Sequence, residues 1–113
     1  MKRLLFGLAA LPLVATAAAP LQCDIGPVTK MFGSVPWLMY SCNDPTSVVL
    51  ISAPGSPASP FYFIFSLEGG SYRIRGEGTG SKAATDAALQ ELQALSAKEI
   101  ADLRRETVAA KKP

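Results

Sequence analysis

The chain has 113 residues, 49% of them hydrophobic, with 11 Lys and Arg against nine Asp and Glu, no His and two Cys. That length holds one domain, and the near balance of charge argues against a dedicated polyanion binder. Without His there are no Ser-His or Cys-His nucleophile pairs, no imidazole proton shuttles and no His-bearing metal sites.

Met1-Lys2-Arg3 is a short positive start, and Leu4 to Val14 is an apolar run interrupted by Pro12. Ala15-Thr16-Ala17-Ala18-Ala19-Pro20 then supplies the small residues that a signal peptidase reads. These three parts describe a cleavable secretory signal over residues 1–18, cut after Ala17 or Ala18, followed by one domain over 19–113. A membrane span needs about 20 apolar residues, so no membrane anchor is expected after cleavage. Lipidation of Cys23 is not expected either, because Pro20-Leu21-Gln22 lacks the small residues of a lipobox. The Lys-Arg start and Ala-rich tail look bacterial, which places the product in the periplasm or the medium. Removing Lys2 and Arg3 leaves nine basic residues against nine acidic ones, so the exported domain is neutral.

Export gives Cys23 and Cys42 an oxidising compartment, in which two cysteines of a small domain pair. Their midpoint falls between Phe32 and Gly33, beside the turn formers of Gly33-Ser34-Val35-Pro36. A hairpin folded there brings the cysteines together, and closing a loop of about 20 residues stabilises by roughly 3 kcal/mol. No C-x-x-C is present and no basic residue adjoins either Cys, so a reactive thiolate is not indicated.

Val28 to Phe32 reads as a weak first strand, and Pro36 to Cys42 as a second. Asn43-Asp44-Pro45-Thr46 is a turn, and the β-branched run Ser47 to Ala53 is a third strand. The prolines at 54, 57 and 60 exclude regular structure and offer, as one option, an extended segment for a partner. Phe61 to Leu67 is an aromatic strand and Glu68-Gly69-Gly70-Ser71 a tight turn. Tyr72 to Glu77 alternates, with Tyr72 and Ile74 on one face and Arg73, Arg75 and Glu77 on the other. Ser81 is placed to cap a helix whose inner face is Ala84, Ala88, Leu92 and Leu95. Ser96-Ala97-Lys98-Glu99 is a capping box flanked by Leu95 and Ile100, opening a second helix from Ala97 to about Val108. Strands first and helices last give an α+β domain, an antiparallel meander of four to five strands with two C-terminal helices on one face.

Residues 61–95 resemble, in outline, the second half of a double-stranded-RNA-binding domain: two strands, a Gly-rich turn, and Ser81-Lys82 opening an Ala-rich helix. The resemblance implies a phosphate grip of the form Lys-Lys-x-Ala-Lys at the helix start. Only Lys82 matches, and Asp86 sets the opposite charge where the last lysine belongs. Nucleic acid is therefore not an expected partner.

Gly76-x-Gly78-x-Gly80-Ser81-Lys82 is neither a P-loop nor a dinucleotide fingerprint, because the spacings differ. It reads as a strand-to-helix turn that needs glycine for backbone reasons. The carboxylates Asp24, Asp44, Glu68, Glu77, Asp86, Glu91, Glu99, Asp102 and Glu106 lie mostly in turns or on polar helix sides. No catalytic residues, metal ligands or cofactor are assigned, and a His-independent hydrolase is the least favoured of three functional readings.

What stands out is an apolar surplus. Trp37 and Met39 alternate with Leu38 and Tyr40, Val48 and Leu50 with Val49 and Ile51, and Phe61, Phe63 and Phe65 with Tyr62 and Ile64. Strands apolar on both sides need cover on both sides, yet helices are supplied for one layer. The expectation is an exported, non-catalytic binding or accessory module with an envelope protein partner. The main alternative is a self-associating structural or stress-related envelope protein. The candidate surface is Trp37 and Met39, with Arg73 and Arg75 as its charged rim.

Overall fold

In a computed structural model, residues 20–111 are described, and the signal expected over residues 1–18 lies outside them. Five strands are followed by two helices: β1 Ile25–Phe32, β2 Val35–Ser41, β3 Val48–Ser52, β4 Phe61–Glu68, β5 Ser71–Gly78, α1 Lys82–Gln93 and α2 Ala97–Ala110. The strands form one antiparallel sheet in chain order, β1-β2-β3-β4-β5, so β1 and β5 are its edges. The α+β meander expected from the sequence is the fold.

Each join in the sheet follows from local chemistry. Phe32 pairs with Val35, leaving a two-residue turn in which Gly33 and Ser34 both have positive φ, 62° and 66°. That turn has the twist antiparallel strands prefer. Gly33 has a second reason to be glycine: a Cβ there would lie 2.5 Å from the Ala88 backbone nitrogen of α1. Its N–H donates to Glu91 Oε1 at 3.0 Å, tying the turn to α1. The first strand is longer than the 28–32 segment read from the sequence. It begins at Ile25 because an irregularity at Gly26–Pro27 lets pairing resume at Ile25 with Ser41.

The core is the inner side of β2, β3 and β4 against the helices. Trp37, Met39, Val48, Leu50, Phe63 and Phe65 pack with Ala88 and Leu92 of α1 and Ile100 and Leu103 of α2. Trp37 lies 5.1 Å from Phe63 between ring centroids, and its indole N–H donates to the Phe32 carbonyl at 3.0 Å. Two inward polar residues find each other: the hydroxyls of Ser41 and Thr107, both fully buried, share a 2.7 Å hydrogen bond.

The capping box is present at the start of α2. Glu99 N–H donates to the Ser96 hydroxyl at 3.1 Å, and Ser96 N–H donates to Glu99 Oε1 at 2.8 Å. These bonds hold the Glu99 carboxyl below its ordinary value, the Ser96 backbone N–H most and the Ser96 hydroxyl next; Lys98 adds a smaller attraction. A lowered carboxylate stabilises the fold above the ordinary carboxylate range, and that contribution disappears as pH falls through the lowered value. Urea midpoints of the unaltered chain and Glu99→Gln should therefore differ at about pH 7 and converge as pH falls below the ordinary carboxylate range. The helix extends to Ala110, two residues beyond Val108.

Ser81 stands at the cap position of α1, but its side chain makes no capping bond. Its N–H instead donates to the Pro57 carbonyl at 2.9 Å. The Pro-rich loop has a firmer claim on Ser81 than the helix does. Leu95 lies past the end of α1, in the connection to α2, half-buried against the core.

Candidate interaction surface

Two-residue periodicity gives each strand an inner and an outer side, and the cross-strand register joins the outer sides into one surface. Leu38 pairs with Ile51, Ile51 with Tyr62, and Tyr62 with Glu77. The next outward row is Tyr40, Val49, Ile64 and Arg75, followed on β4 and β5 by Ser66 with Arg73. Six apolar or aromatic residues thus occupy the three central strands. Charge is confined to β5 and to Glu68 at the end of β4. Ile51 is 41% exposed and Tyr62 40% exposed, whereas their inward neighbours Leu50 and Phe63 are buried. Met31, on the outer side of β1, is 60% exposed. An open depression of about 480 Å³ lies at one end of this surface, lined by Val49, Ile51, Pro60, Phe61, Tyr62, Glu77 and Gly78.

Half of the surface expected from the sequence is therefore misplaced. Trp37 and Met39 are fully buried beneath the helices and line no docking surface. Large rings and flexible Met fill the space between sheet and helices, where Ala88 leaves room for them. Leu38 and Tyr40, one residue away, face outward instead. Arg73 and Arg75 are where the alternation put them, exposed on the outer side of an edge strand. Both are paired with Glu68, at 3.3 Å each, across the Gly69–Gly70 turn. Glu77 has no ion-pair partner among the described residues.

The remaining candidates have structural duties. In the glycine run, the N–H groups of Thr79 and Gly80 donate to the Pro60 carbonyl at 2.9 and 3.1 Å, and Ser81 N–H to Pro57. These three donors of the glycine run are thus engaged by the Pro-rich loop. The glycines are there for close approach. A Cβ at Gly76 would lie 2.7 Å from the Phe63 ring, and one at Gly80 would collide with the Ala58 carbonyl. Gly80→Ala must push the Pro-rich loop away from the start of α1 and expose Ala58, which is fully buried. A loss of about 1–3 kcal/mol is expected from overpacking of this kind, measurable as a lower urea midpoint.

The prolines do not hold an extended segment. Ser56 N–H bonds the Ala53 carbonyl and Ser59 N–H the Ser56 carbonyl, at 3.1 and 2.9 Å, so the loop is a succession of turns. Most of the carboxylates are likewise occupied. Glu106 meets Lys30 at 3.0 Å, Asp102 pairs with Lys98 and Arg105, Asp86 with Lys82, and Asp44 accepts from Ser47 and Thr46. Among the described residues no group of three potential ligands is disposed to hold a metal ion.

The disulfide between Cys23 and Cys42 is formed and leaves no free cysteine. The β1–β2 turn is centred one residue later than the midpoint between the cysteines, and the irregularity at Gly26–Pro27 takes up part of that offset. A bridge of this kind points to an oxidising, extracytoplasmic compartment. Among the described residues no helix is long and apolar enough to cross a membrane. Compared with protein-family models, with curated proteins and with solved structures, the chain matches none.

Proposed function

We propose that this chain is a small exported, non-catalytic binding module that works through the outer side of its sheet. The observation that carries the reading is the distribution of residues on that side. Apolar side chains fill the three central strands while charged ones are restricted to one edge, which is the anatomy of a protein-binding patch with an apolar middle and a polar rim. A sheet side meant only for solvent would alternate apolar-in with polar-out. Here Leu38, Tyr40, Val49, Ile51, Tyr62 and Ile64 break that rule together. Catalysis is disfavoured because nearly all the carboxylates are taken up in caps, turns or surface ion pairs.

A photo-crosslinking residue placed at Ile51 tests the reading in an exporting bacterium, with Val108 as control. Val108 is exposed, at 46%, but lies on α2. A discrete adduct from position 51 and none from position 108 is expected. Equal labelling from both, or none from either, would remove the outer side as a binding surface. Intact mass of the same protein checks export: the first 17 or 18 residues should be missing, together with two hydrogens for the bridge.

A further inference from the structure

We propose that the occupant of the outer sheet side is a second copy of this chain, packed face to face with the helices outermost. This rests on the reading of that side as the binding surface and names its partner.

Symmetry and charge carry the inference. β3 is the middle strand of five, and its middle residue Leu50 lies between the row Leu38–Ile51–Tyr62 and the row Tyr40–Val49–Ile64, so Leu50 marks the centre of the apolar strip. A two-fold axis running across the strands above Leu50 lays each strand over its own copy in reverse, the self-complementary arrangement of a symmetric dimer. The apolar strip then meets itself, Ile51 and Tyr62 of one copy over Val49 and Ile64 of the other. At the charged edge β5 faces β5 with its order reversed. Arg75 of each copy, which shares the Glu68 carboxylate with Arg73, lies over Glu77 of the other, and Arg73 is next in reach. Glu77, which has no ion-pair partner among the described residues, gains one in each half of the dimer. The alternative axis, parallel to the strands, would set Glu77 over Thr29 of β1 and Arg75 over the Gly26–Pro27 irregularity, and leave Glu77 unmatched. Like edges therefore belong together.

Size and net charge agree. Five strands about 4.8 Å apart and about 3.4 Å per residue make a side of roughly 500 Å². Two such sides bury about 1,000 Å², at the lower limit for a specific interface. Aligned sheets pack about 10 Å apart, which two layers of side chains fill. The exported domain is neutral, so copies do not repel one another at long range. A side this small gives a reversible dimer.

Sedimentation equilibrium on the protein purified from an exporting host, disulfide intact, tests this from about 1 μM to about 1 mM. A reversible monomer–dimer equilibrium is expected. Ile51→Glu should stay monomeric throughout while keeping the circular dichroism spectrum of the unaltered chain. Should that variant misfold, the exposed edge supplies an independent test. Glu77→Arg and Arg75→Glu should each weaken the dimer about tenfold, and the two together should restore it. A strict monomer over the whole range overturns the proposal, as does Ile51→Glu dimerising like the unaltered chain. Failure of the double variant to recover overturns the two-fold register. A monomer whose position 51 still crosslinks to a different envelope protein would sink the second copy and leave the binding surface standing. A monomer with no adduct would remove both.

Discussion

Replacing Cys23 and Cys42 together with alanine is expected to lower stability by about 3 kcal/mol, the loop-closure term for a bridge spanning 19 residues. That is a large share of the 5–15 kcal/mol typical of a whole domain. For a domain of this size it corresponds to a melting temperature lower by roughly 15 °C. Cys42 is fully buried, so alanine at 42 also removes a sulfur from a packed position and the loss falls on the high side. The bridge joins the segment before β1 to the end of β2, and it acts where the sheet is least regular. Gln22 N–H donates to the Asn43 side chain at 3.1 Å, and Asn43 N–H to the Gln22 carbonyl at 2.7 Å, so the same corner has independent ties. Urea denaturation monitored by circular dichroism measures the effect. A loss below about 1 kcal/mol would mean that these ties, not the bridge, hold the corner.

Trp37→Ala is expected to cost about 3–5 kcal/mol, against less than about 1 kcal/mol for Tyr62→Ala on the outer side. Trp37 is fully buried, touches the Phe61 and Phe63 rings, and donates its indole N–H to Phe32. Removing it opens a cavity between sheet and helices and leaves the Phe32 carbonyl without that donor. Tyr62 is 40% exposed, and its loss creates no enclosed space. The comparison discriminates between the two sides of the sheet. If Tyr62→Ala proved the costlier change, the helices would have been assigned to the wrong side.

Much of the local structure was legible because its causes are local. The Gly33–Ser34 turn, the Gly69–Gly70 turn and the Ser96–Glu99 capping box each depend on residues within four positions of one another. Their chemistry names them directly. The pairing of the cysteines was legible for the same reason, a turn former near the midpoint of a short loop. Half of the outer side was within reach as well. Once Gly69–Gly70 is a two-residue turn, Glu68 must oppose Ser71, and counting back sets Arg75 against Ile64 and Glu77 against Tyr62. The charged side of β5 therefore carries the aromatic and aliphatic residues of β4.

That count stops at the loops. Asn43–Thr46 and the Pro-rich segment separate β3 from its neighbours, and neither has a length or turn type that dictates register. Strands apolar on both sides fit a helix layer equally well in either orientation by hydropathy. What chose Trp37 and Met39 for burial over Leu38 and Tyr40 was shape. The inner side has Gly76 beneath the Phe61 and Phe63 rings and Ala88 opposite Gly33, small residues from distant segments that let large ones in. By itself the sequence determined the order of elements, their turns, the capping box that opens α2 and the covalent staple, all of which are short-range properties. Which side of the sheet became core, and which was left uncovered by the helices, was decided only when segments far apart in the chain were fitted together. Packing complementarity is a property of the assembled volume and cannot be read from any one strand.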